Sequence, residues 1–172
     1  MRRSQAIGYA IGTLLCVAAT AFFNRIGGIH GAKVELCAAF FIAIAPYAGY
    51  WTLAYAFVAG LLLDVQVNVF FGCSILLLCG FSFLAYHFAN MEKNTFVPCV
   101  LVGTGFACAK WVLEVLVAFF RGFSVDFYAG LVKSAFPSMV LTALVTAIFS
   151  LIMYKAHTRL RMRDRSTGVR YR

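Results

Sequence analysis

The chain has 172 residues, of which 63% are hydrophobic and 12% are charged, with a mean hydropathy of +0.88. Water-soluble domains carry roughly 25% charged residues, and a surface built from this composition would expose more apolar area than water tolerates. A soluble globule and a disordered chain are both excluded. The net charge of +9 is unevenly spread, with seven of the 15 basic residues lying between Lys155 and Arg172.

Six hydrophobic blocks follow one another. Each is a continuous apolar run without period-two alternation, which selects helices over a barrel, since a helix satisfies its own backbone in lipid. The first covers residues 6–23 behind Arg2 and Arg3. Its Ala19-Thr20-Ala21 imitates a signal-peptide cleavage site, but the block is long and five more follow, so it reads as an uncleaved helix. After a loop at 24–33, the second starts near Val34 and meets Pro46. The third, 50–67, ends in Gly60-Leu61-Leu62-Leu63-Asp64 and nearly merges with the fourth, 71–89, through a turn near Asn68. A polar loop at 90–94 precedes the fifth, 96–120, and residues 121–126 separate it from the sixth, 127–154. The expected architecture is all-α: a polytopic membrane bundle of about six transmembrane helices over residues 1–154, followed by a basic cytoplasmic tail at 155–172.

With six spans both chain ends share a side. That side holds Arg2, Arg3, Lys93 and the seven tail residues, against Arg25, Lys33 and Arg121 opposite. Basic loops stay in the cytoplasm, so both termini are expected there. Lys155, Arg159, Arg161, Arg163 and Arg165 follow directly on an apolar span, which makes anionic lipid their expected contact and argues against nucleic acid.

Given that orientation, five charges fall in the outer half of the bundle. Glu35 begins the second block, Asp64 ends the third, Lys110 and Glu114 lie deep in the fifth, and Lys133 is early in the sixth. Lys110 and Glu114 are four residues apart, share a helix face and are expected to pair. Charges in lipid are costly, so a shared polar centre is favoured over isolated ones. Asp64, Lys110, Glu114 and Lys133 form the candidate cluster, as a partner-binding or structural centre. Glu35 reads as an interfacial or structural charge.

Small residues mark close helix contacts. Gly8 and Gly12 form GxxxG, Ala56 and Gly60 form a small-xxx-small pair, and Gly72 joins them as an expected packing seam. Pro137 is expected to kink the sixth helix. The six cysteines are scattered without a CxxC pair and read as small buried hydrophobes. His30, His87 and His157 sit in different segments without a second ligand at metal spacing, and no nucleophile elbow, P-loop or HExxH motif occurs. Neither a metal, a cofactor nor an enzyme activity is expected.

Pro46, the run Gly60-Leu61-Leu62-Leu63-Asp64, and Gly72 eight residues beyond the aspartate together resemble the central signature of the bacterial rod-shape-determining MreD family. The sixth block, with Pro137 ahead of an apolar run and the basic sequence from Lys155, is similar to that family's last helix. The resemblance implies a non-catalytic inner-membrane scaffold of cell-wall elongation that binds MreC and belongs with MreB, RodA and a class B transpeptidase. It also implies a fold similar to the substrate-binding subunits of energy-coupling-factor vitamin transporters, which supplies the alternative function. Against that alternative, the loop at 24–33 has no Trp, Tyr or Phe to cover a ligand.

Overall fold

The computed structural model describes residues 3–25, 34–66, 72–91, 95–122 and 125–168. These form six helices: α1 (Arg3–Arg25), α2 (Leu36–Ala48), α3 (Trp51–Gln66), α4 (Cys73–Met91), α5 (Phe96–Phe120) and α6 (Val125–Gly168). No strand occurs among the described residues. Three stretches are long and apolar enough to cross a membrane: Cys73–Met91, Phe96–Phe120 and Val132–Thr158. The apolar stretches Ile7–Phe23, Leu36–Ala48 and Trp51–Val65 are shorter. The expected turn near Asn68 and the basic residues Arg2, Lys33 and Lys93 lie outside the described residues.

The shortest helix organises the others. With 13 residues, α2 is about 20 Å long at 1.5 Å per residue, well under the roughly 30 Å of a bilayer's hydrocarbon. It packs against each of the other five helices. Every residue from Cys37 to Ala45 is buried, on all faces. Four of these nine are alanines, Ala38, Ala39, Ala43 and Ala45, and their small side chains let neighbouring backbones approach. Phe40 and Phe41 fill the wider gaps, with Phe40 meeting Phe149 of α6 edge to face at 6.0 Å. The helix continues through Pro46 and stops at Gly49, whose φ of +61° favours glycine and whose N–H donates to Ala45 O. On the lateral surface, Leu14, Leu76, Phe119, Phe120 and Phe136 are exposed, a coat suited to lipid and not to water.

α6 carries on as one helix to Gly168, so the basic segment begins as an extension of the last apolar helix. Pro137 lies inside this helix, and the helix runs through it without interruption. Lys155 is exposed; the side chains of Arg159, Arg161, Arg163 and Arg165 lie outside the described set.

Candidate functional site

Consecutive helices alternate in direction, so the ends of α1, α3 and α5 meet the starts of α2, α4 and α6 at one end of the bundle. Two structures are built there from buried charges.

The first joins α3 to α4. Asp64, only 4% exposed, lies one turn beyond Gly60 on α3. Its Oδ2 accepts hydrogen bonds from the backbone N–H of Gly72 at 2.9 Å and of Ile75 at 3.4 Å, and its Oδ1 accepts one from the N–H of Ser74 at 3.0 Å. The first amides of a helix have no intrahelical partner and carry its positive dipole end, so the carboxylate caps α4 from the preceding helix. Gly72 has a φ of +101°, a conformation open to glycine, and a Cβ there would touch nothing within 4 Å. It therefore turns the chain and does not serve as the expected packing contact. Gly60 does pack: a Cβ on it would sit 2.6 Å from Ile75 Cα and 2.8 Å from Ile75 N. Ala56 is fully buried as well. At Gly60 the expected packing seam of α3 is thus filled by the chain's own α4.

The second structure centres on Lys110 of α5. Lys110 Nζ makes an ion pair and hydrogen bond with Glu35 Oε1 at the start of α2. The four-residue spacing reveals Glu114 as a neighbour of Lys110, but it does not reveal Glu35, which is 7% exposed and 75 residues away. Of the two readings of Glu35, interfacial or structural, the structure selects the structural one: it is buried and paired with the cluster's cation. The placing of Lys133 in the cluster is corrected, since it is exposed and lines neither cavity beside the ion pair. The side chain of Lys110 keeps 28% of its surface accessible, in keeping with its place in the walls of two cavities.

Those cavities flank the pair. One, of about 100 Å³, lies among α1 to α5 and is walled by Thr20, Asp64, Ser74, Phe106 and Leu113 together with Glu35, Lys110 and Glu114. The other, of about 40 Å³, shares those three charged residues and is closed by Trp111, Ser134, Ser138 and Thr142. Thr142 is 1% exposed, and its hydroxyl has no hydrogen-bond partner. Both volumes admit water, which needs roughly 10–15 Å³ and two to four polar partners. The arrangement is an internally paired charge centre flanked by cavities wide enough for water.

Ser134, Ser138 and Thr142 are the residues that sequence reasoning missed. They begin a four-residue repeat of hydroxyls along α6 that continues through Thr146 and Ser150, and a period of four marks a single helix face. Thr142, Thr146 and Ser150 are buried, and Thr146 fits against Gly103 of α5, where a Cβ would lie 2.7 Å from its Oγ1. Hydroxyls folded back on the preceding turn, such as Thr146 Oγ1 on Thr142 O at 2.7 Å, are tolerated in an apolar setting because they satisfy themselves.

Elsewhere, Gly12 packs against the Phe40 ring, whereas Gly8 has nothing within 4 Å of a Cβ and is not a packing contact. The six cysteines are free thiols; Cys37 and Cys99 are fully buried and Cys108 is exposed. Among the described residues, no group of three or more His, Cys, Asp or Glu side chains is placed to hold a metal ion. Comparison with known protein families, with characterised proteins and with solved structures finds no match to this chain.

Proposed function

We propose that this chain is a non-catalytic scaffold of bacterial cell-wall elongation, similar to MreD. It sits in the cytoplasmic membrane with both termini in the cytoplasm and holds MreC within an assembly that includes MreB, RodA and a class B transpeptidase. The observation that carries the reading is the joint between α3 and α4. Gly60, Asp64 and Gly72, which bear the resemblance, converge there as close contact, cap and turn. A motif spent on fixing the angle between two helices suits a protein whose work is to present a shape.

The cavity at the charge centre favours this reading over a vitamin-binding subunit. Its volume is about 100 Å³, against roughly 300–1,000 Å³ for small-molecule sites. In its walls Glu35 and Lys110 are paired with each other and Asp64 is met by backbone amides. The test is depletion of the protein in its source organism, with membrane abundance, MreC recovery and cell shape measured together. Rounded cells, and recovery of MreC with the tagged chain, are expected. Unchanged rod shape after complete depletion would refute the scaffold.

A further inference from the structure

The opposite end of the bundle holds a further cavity, about 230 Å³, lined by Gly8 and Tyr9 of α1, Phe40 and Tyr47 of α2, and Met153, Ala156 and His157 of α6. It exists because α1 and α6 both pack on α2 but, among the described residues, not on each other. The floor is fixed. Phe40 packs against Phe149 and Gly12, and Tyr47 is held by a hydroxyl contact of 3.2 Å with Thr95 Oγ1 and by the His157 ring, 4.8 Å centre to centre. At its side the slot is open, since Gly8 is exposed and has no atom within 4 Å of where a Cβ would lie. Several water volumes of about 30 Å³ each would fit, yet the walls are largely aromatic and aliphatic, which water wets poorly.

Charge indicates what fills it. Met153, Ala156 and His157 lie at i, i+3 and i+4 and share one face of α6. The apolar stretch of that helix ends at Thr158, and Lys155, Arg159, Arg161, Arg163 and Arg165 stand within the adjoining turns of the same continuous helix, with Asp164 the one acidic residue among them. A laterally open apolar slot that meets a cationic helix at the membrane boundary matches an anionic phospholipid. The acyl chain takes the slot and the phosphate meets the basic turns. We infer that the groove between α1 and α6 is a binding site for a single anionic phospholipid, with Tyr9, Tyr47, Met153 and His157 as its walls. This inference does not depend on what the chain does in the cell.

The test uses the full chain in nanodiscs of mixed phosphatidylglycerol and phosphatidylcholine, with a trace of phosphatidylglycerol carrying a diazirine on its acyl chain. After irradiation the adducts are mapped by mass spectrometry. Adducts on Tyr9, Tyr47 and Met153 are expected, reduced about tenfold when the same chain is carried on phosphatidylcholine, because the headgroup's attraction to several basic residues is lost. Gly8→Leu, which meets no neighbour at Cβ, should fill the slot and abolish adducts at Tyr47 and Met153. Gly80→Leu, equally unobstructed but on α4, should leave them unchanged. Equal labelling by both headgroups would overturn the charge selection. Labelling of Leu76 and Phe136 with none in the slot would overturn the site itself, including the case in which another protein covers it. The wild-type map decides the matter even if Gly8→Leu fails to fold.

Discussion

Asp64 and Lys110 are both charges placed at the same end of an apolar bundle, and the protein neutralises them in different ways. Asp64 is met by backbone amides from residues only eight to 11 positions ahead in the chain. Lys110 is met by a carboxylate 75 residues earlier, on another helix. A capped carboxylate needs only a turn and the start of the next helix, both of which arrive with the local chain. An ion pair between helices needs the whole bundle assembled before either charge is compensated. The first is a local joint, and the second is a lock that closes only when α2 and α5 are in register.

That contrast is broken most severely at the ion pair. Lys110→Ala leaves the Glu35 carboxylate buried without its partner, a loss of about 3–5 kcal/mol, and Glu35→Ala, which leaves Lys110 beside Glu114, should cost less; the double substitution should cost less than the sum of the two singles, with a coupling of about 1–3 kcal/mol. Thermal unfolding in detergent measures the cycle; additive losses would mean that the two charges are separately solvated.

Next in size is the close approach of α3 to α4. Gly60→Ala places a methyl group against Ile75 backbone, which cannot rotate away as a side chain could, so a loss of about 1–3 kcal/mol is expected. Gly12→Ala, which meets only the tip of the Phe40 ring, should cost clearly less. If the two variants unfold at the same temperature, backbone contact is not what limits the joint.

The smallest effects belong to the cap itself. Asp64→Ala removes the acceptor for three amides, and replacing a cap in this way costs about 0.5–2 kcal/mol. Asp64→Asn keeps an oxygen acceptor and should recover most of that loss, since Asn caps nearly as well as Asp. An Asn variant as unstable as the Ala variant would show that charge, and not hydrogen bonding, holds the start of α4. Each measurement compares a local device with a long-range one at the same end of one molecule.

Sequence alone determined whatever depends on neighbours along the chain. Continuous apolar runs specified helices because lipid leaves the backbone no other partner, and the helices from α3 to α5 begin and end within about two residues of the runs. The apolar run before Pro46 marked α2, but nothing in that run says that this helix, too short for a full bilayer, would become the centre touching all the others. That follows from the way five neighbours close around its alanines. The cluster of Lys110 and Glu114 was legible from a spacing of four, and the hydroxyl repeat from Ser134 to Ser150 was equally available in that period. The pairing of Lys110 with Glu35, the exposure of Lys133 and the occupation of the Gly60 face by Ile75 were decided only by tertiary structure. Helical periodicity reports which residues share a face, but it carries no information about which face of another helix arrives to meet them.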